Sequence, residues 1–254
     1  MDPFRQQEKR YKKRGQPVKK RKGAAPEDFS DVIDVSKEKD TTSSTSPVFL
    51  VESKCSSKWL SSEAQIFGLR AVDGFYVIRN ALSPIDQLIW AKVCLAHYSN
   101  ATHTNLTNLH GSQEDLWKKA CNGNSLDALD GLRWSSLGYH YDWTARTYTE
   151  KNHSPFPGEL ASFCDEMAKV VGYSLRSEAA IVNFYPSGSS MGAHLDDAEF
   201  TQSHPIVSMS LGIDAIFLIG GATKATKPTA VWLRSGDVVL MGGQSRLAYH
   251  GVPR

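Results

Sequence analysis

Apolar and polar residues keep three different rhythms along this chain. Up to residue 47 the apolar positions are sparse and follow no period. From Ser83 the stretch "SPIDQLIWAKVCLAHYS" sets Ile85, Leu88, Ile89, Val93 and Ala96 at spacings of three and four, with Lys92 on the same row. That period marks an amphipathic helix, and Ser83 as N-cap with Pro84 in the first helical position marks its start. A second helix is predicted from about Pro157 to Val171, stopped by Gly172. Beyond it come short β-rich runs, "EAAIVNFY", "PIVSMSLG", "AIFLIGG", "TAVWLRSGDVVLMGG" and "RLAYHGV", parted by Gly, Ser, Asp and Pro. Runs of this kind build an antiparallel sandwich or jelly roll. The pattern therefore predicts an α+β domain over residues 48–254, a β-core backed by two helices. Residues 1–47 precede it as a disordered basic tail and polar linker.

Composition sharpens this picture. With 254 residues, 41% of them hydrophobic, the chain has material for one sizeable core and a tail rather than two full domains. The formal net charge of +2 hides an asymmetry: residues 1–22 carry ten Lys and Arg against Asp2 and Glu8, a local +8 that leaves −6 on the remainder. "KKRGQPVKKRK", residues 12–22, holds two basic clusters around a Gly-Gln-Pro spacer and too few apolar groups to offset its ordering entropy. It reads as a nuclear-import signal or as a tether attracted to nucleic-acid phosphates. On that reading the protein resides in nucleus and cytoplasm, an organelle being the alternative. "SKEKDTTSSTSP", residues 36–47, reads as a polar linker. Cys55, Cys94, Cys121 and Cys164 form neither C-x-x-C pairs nor a dense disulfide framework, so they read as reduced, buried thiols. No apolar run approaches the roughly 18 residues of a bilayer span. No membrane partner is expected, and a monomer is.

Candidate chemistry concentrates in the β-rich half. "GAHLDDAEF", residues 192–200, follows the Gly- and Ser-rich "NFYPSGSSM". In an extended chain, side chains two apart point to the same side, so His194 and Asp196 can grip one metal ion. The third ligand is His250, in the last β-like run and 56 residues further on. Two neutral imidazoles and one carboxylate on one face of a metal leave its opposite face open, the arrangement of non-haem Fe(II) oxygenases. His140 and His204 compete as ligands on composition alone, and an isolated H-x-D pair serves turns and caps more often than metals. Upstream, "RWSSLGYHYDW", residues 133–143, packs Trp134, Tyr139, Tyr141 and Trp143 together. Flat rings of this kind stack on an extruded base, or else fill a core.

Three blocks, "NFYPSGSSMGAHLDDAE", "PIVSMSLGIDAIFLIGG" and "LRSGDVVLMGGQSRLAYHGVP", resemble in order and spacing the AlkB family of Fe(II)- and 2-oxoglutarate-dependent dioxygenases. "LRWSSLGYHYDW" and "PFPGEL" bring the resemblance nearest to the first AlkB-homologue subfamily of eukaryotes, over about residues 60–254. It implies a double-stranded β-helix in which His194, Asp196 and His250 hold Fe(II). Asn183 and Tyr185 then contact the cosubstrate 2-oxoglutarate, and Arg246 either contacts it too or supports the iron site. The implied reaction hydroxylates a methyl group on a base of DNA or RNA, single-stranded or flipped out and possibly within tRNA, and formaldehyde then leaves. Trp134 and Tyr139 match family positions near that base, and Tyr141 shares their run. Bacterial members carry a second acid two positions beyond the iron-binding Asp. This chain has Ala198 there, with Asp197 and Glu199 beside it. Two other readings remain: a relative that binds nucleic acid without turnover, and a dioxygenase of protein side chains. A hydrolytic zinc enzyme uses similar ligands, but the cosubstrate pair in "NFY" argues against it.

In the family one more strand follows the distal histidine and carries an arginine that grips the remote carboxylate of 2-oxoglutarate. Arg254, four residues after His250, follows too closely to be that anchor. The resemblance thus leads us to expect that this 254-residue form binds metal, binds 2-oxoglutarate poorly and turns over slowly or not at all.

Overall fold

In the computed structural model every residue is described except 13–27, 39, 112–114, 124–126, 187 and 254. The first half of the chain forms α1 (Pro3–Lys12), β1 (Val48–Val51), β2 (Gln65–Leu69), β3 (Phe75–Arg79), α2 (Pro84–Ala96), β4 (His103–Thr104), α3 (Asn105–His110), α4 (Leu116–Gly123) and α5 (Asp127–Asp130). Then come β5 (Trp134–Gly138), α6 (Gly158–Val170), β6 (Ala179–Asn183), β7 (Met191–His194), β8 (Ile206–Met209), β9 (Ala215–Ile219), β10 (Thr229–Leu233), β11 (Val238–Met241) and β12 (His250–Val252). The strands pair antiparallel throughout, in a five-stranded sheet β1-β2-β3-β11-β8, a four-stranded sheet β10-β9-β12-β7 and a three-stranded sheet β4-β5-β6.

The unbroken apolar runs dictate how these sheets are layered. A strand without polar positions must be covered on both faces. On β11, Val239 and Met241 meet Phe217, Ile219 and Val231 of the four-stranded sheet, while Val238 and Leu240 turn the other way onto Trp90, Phe163 and Met167 of α2 and α6. On β9, Phe217 and Ile219 point inward, and Ile216 and Leu218 point outward. The outer face is nevertheless closed, by Phe4 and Tyr11 of α1 together with Val32. The expected jelly roll backed by two helices is thus observed, with a third helix on its far side.

That third helix corrects the reading of disordered tail for residues 3–12, and the segment 31–35 beside it is likewise ordered. Phe4 and Tyr11 lie seven residues apart on one helical face and are buried, while Arg5, Lys9 and Lys12 face solvent. Arg10 pairs with Asp31 at 2.6 Å, Ile33 bridges in parallel to Val231, and Asp34 takes two hydrogen bonds from Arg234 at 3.0 and 2.8 Å. Two aromatic anchors suffice because the sheet beneath them is already apolar. The basic clusters between residues 13 and 22 lie outside the described residues.

Two smaller expectations also change. Helix α2 starts as predicted, with Ser83 Oγ accepting from the Asp86 main-chain N–H at 3.2 Å and Pro84 in the first turn. Its buried side is not the Ile85/Leu88/Ile89 row, whose members are 63%, 68% and 52% exposed, but the side of Trp90, packed on Trp59 and Phe163. All four cysteines are free, yet Cys55 and Cys121 are exposed and only Cys94 and Cys164 are partly buried. No helix among the described residues is long and apolar enough to cross a membrane.

At the end of β5, Gly138 has φ +72, and a Cβ there would lie 1.9 Å from Glu178 O. The chain then enters an irregular segment closed by bridges Tyr139–His153 and Asp142–Thr147. Both ring nitrogens of His140 are held within it, by Asn152 at 3.2 Å and Ser154 at 3.0 Å.

Candidate active site

His194 ends β7 and His250 begins β12, and the two are directly opposite in the ladder. Backbone pairing therefore fixes their separation before any side-chain contact forms. The ladder is tight: a Cβ on Gly251 would stand 3.0 Å from Met191 O. Each imidazole donates from Nδ1 to a main-chain carbonyl, His194 to Gly192 O at 2.9 Å and His250 to Ala248 O at 3.1 Å. A carbonyl accepts only from a protonated nitrogen, so Nε2 keeps its lone pair for a ligand. Both Nε2 atoms face Asp196, His194 at 3.8 Å from Oδ1 and His250 at 3.4 Å from Oδ2.

One donor atom from each of these residues lies within 4.8 Å of the other two. Burial and the neighbouring His250 ring lower the His194 pKa, keeping it neutral. For Asp196 burial works upward, but the neighbouring His250, with His194 and Arg246 behind, holds the carboxyl below its usual range. Neutral imidazoles and an ionised carboxylate are the forms that bind a divalent metal. The donor set therefore fits Fe(II) in the facial arrangement.

The competing histidines take no part. His140 is held by Asn152 and Ser154, and His204 turns Nδ1 to Ser174 O at 2.9 Å. Arg246, its side chain 4% exposed, donates to Asp196 O, His204 O and Glu199. Glu199 is thereby engaged, which leaves Asp197 as the exposed acid beside Ala198. Asn183, exposed at the end of β6, stands opposite Trp134. Tyr185, 42% exposed, reaches Met191 Sδ at 3.8 Å, on the strand that ends in His194.

Trp134 belongs to a chain of rings. It contacts His103 at 5.1 Å and Trp143 at 5.2 Å; Trp143 meets Tyr141 at 4.8 Å, and Tyr141 meets Tyr148 at 5.3 Å. Burial pushes the Tyr148 phenol upward, and the carboxylates of Glu199 and Asp196 add to the effect. Tyr139 instead meets His153 and Phe200. Sequence reasoning missed Tyr148, although it continues the aromatic run, and His103, for which no local signal exists.

His103 and His140 stack at 4.6 Å with ring planes 5° apart. Burial lowers both pKa values. An unfolded chain takes up these protons near pH 6.5, the folded one only below it, so stability present above that pH is lost as pH falls through it. We expect the urea midpoint to drop between pH 7.5 and 5.5, and His103→Phe to flatten that dependence. Equal pH profiles for the two proteins would remove His103 from the account.

Comparison with known proteins places this site in a family. The model of the 2OG-Fe(II) oxygenase superfamily matches residues 74–254. The chain is 37% identical over 211 residues to human nucleic acid dioxygenase ALKBH1, covering 78% of this chain and 53% of that protein. It is 38% identical over 218 residues to DNA N(6)-methyladenine demethylase ALKBH1A of Arabidopsis thaliana, covering 71% and 63%. With tRNA demethylase abh1 of Schizosaccharomyces pombe it shares 32% identity over 275 aligned residues, covering 99% and 84%. The chain thus spans about half the length of the human relative. The solved structure of OsALKBH1 superposes with a TM-score of 0.57 at 24% identity, over 74% of this chain and 87% of that one, a likeness of fold. Together with the His194, Asp196 and His250 triad, these matches mean that the chain belongs to the 2OG-Fe(II) oxygenase superfamily, in the ALKBH1 branch of its AlkB-like members.

Proposed function

We propose that this chain carries the catalytic core of an oxidative demethylase that removes methyl groups from bases of DNA or RNA. The observation that carries the proposal is a three-residue ligand set with aromatic rings beside its loop, where Tyr139 meets Phe200, four residues after Asp196. Trp134 lies opposite Asn183, and Tyr185 touches the strand that ends in His194. The relatives' names point to one reaction class on several polymers: nucleic acid, DNA N(6)-methyladenine and tRNA.

Bound Fe(II), with 2-oxoglutarate and O2, supplies the oxidising power. The protein's part is binding and placement. His194, Asp196 and His250 would hold the metal. The Asn183 amide and Tyr185 phenol are donors for the cosubstrate's carboxylates. A base turned out of its stack would lie against Trp134, with Tyr139 and Tyr141 of the same segment as further ring surfaces for it. Asp197 is the free acid able to accept from an exocyclic amine.

The test is a panel of methylated DNA and tRNA-like oligonucleotides with Fe(II), ascorbate and 2-oxoglutarate, read by mass spectrometry and formaldehyde release. Binding of the oligonucleotides without formaldehyde even at saturating 2-oxoglutarate and long incubation, or turnover of peptides alone, would refute the proposal. Stacking is worth about 1–3 kcal/mol per base, so Trp134→Ala should raise the oligonucleotide KM roughly tenfold or more and leave metal affinity unchanged. Steady-state kinetics with metal titration separates the two.

A further inference from the structure

We infer that Arg246 is a positioning residue, which sets where the Asp196 carboxylate stands against the two histidines. The inference rests on the metal reading of the triad and goes beyond it. His194 and His250 are fixed by strand pairing, but Asp196 is not on a strand. It sits in residues 195–205, between β7 and β8. Among the described residues, no main-chain-to-main-chain hydrogen bond ties that loop to a neighbouring element.

The tie comes instead from one guanidinium. Arg246 donates through Nε to His204 O at 3.0 Å, through Nη1 to Asp196 O, and through Nη2 to Glu199 Oε2 at 3.0 Å. These are the two ends and the middle of the loop. Besides these bonds, Gln202 closes the loop on itself through Asp197 O and Glu199 O, and His204 reaches Ser174 O. Arg246 lies in the 3₁₀ turn Gly243–Leu247, four residues before His250. One planar side chain thus joins the segment of the distal histidine to the loop of the carboxylate. Glu199 offsets its charge, so the ligand site gains geometry rather than a net cation.

Lysine keeps the charge but offers a compact, strongly hydrated point donor, which cannot reach three acceptors in three directions. Removing a partner that orients a ligand typically costs 10- to 100-fold in metal affinity. We therefore expect Arg246→Lys to weaken Mn(II) binding by about 10- to 100-fold, measured by calorimetry on the full chain without 2-oxoglutarate. Glu199→Gln, which loosens one bond of three, should weaken it by a smaller factor, roughly three- to tenfold. The Mn(II) electron paramagnetic resonance spectrum should change in both. Circular dichroism and thermal denaturation establish that each variant is folded. Wild-type Mn(II) affinity in folded Arg246→Lys, with or without a raised KM for 2-oxoglutarate, overturns the inference. Should Arg246→Lys not fold, Glu199→Gln decides: unaltered Mn(II) affinity there overturns it equally. A wild-type chain that binds no Mn(II) would defeat the metal reading itself, an outcome distinct from either.

Discussion

Asp196→Ala is expected to abolish Fe(II) binding and leave the chain folded. The side chain is 33% exposed and stands in a loop outside the hydrophobic clusters, so its loss opens no cavity. The two imidazoles keep their carbonyl partners at Gly192 and Ala248. What disappears is the sole anionic ligand of the set. Two neutral donors hold a labile divalent ion poorly, and the affinity loss should exceed about 100-fold. Equilibrium dialysis with Fe(II) or Mn(II), beside circular dichroism of the apo-protein, gives the answer. Unchanged affinity would dissolve the triad.

The second large effect is on stability. Phe4 is completely buried, meets the ring of Tyr249 at 6.5 Å and lies about 3.0 Å from where a Gly220 side chain would begin. Truncating a phenylalanine so enclosed costs about 3–5 kcal/mol. Phe4→Ala should therefore lower the urea midpoint strongly, while the exposed Arg5→Ala changes it little. A loss below about 1 kcal/mol would mean that α1 contributes nothing to holding the sheet.

These cases mark what can be read in a linear chain and what cannot. The start of α2 was legible because Ser83 and Pro84 act on their own neighbours. Its buried face was not, because Trp59 and Phe163, which claim Trp90, lie elsewhere in the sequence. Likewise Phe4 and Tyr11 look like strays in a charged tail until Ile216 and Leu218, some two hundred residues away, present the surface they cover. The strands β1 to β3 were foreseen only as folding that begins near Val48. His194, Asp196 and His250 were legible because the chemistry of a metal restricts residue types as well as spacing. Arg246 opens the run "RLAYHGV", which reads as extended, but the chain there winds into a 3₁₀ turn and aims the guanidinium at the Asp196 loop.

The ring run and the ligand pair belong to different sheets. Trp134 and His103 stand in the three-stranded sheet, and His194 and His250 in one ladder of the four-stranded sheet. Selection can therefore act on them separately. On the proposed function, substitutions among the rings would alter which base or polymer is preferred without shifting the register that spaces the two imidazoles. Gly251, pressed against Met191 O, is closed to drift, whereas Trp143, with half its surface in solvent, is open to it. If the rings set the substrate as proposed, a lineage could change it through the segment around one sheet and inherit the metal ligands unaltered in the other.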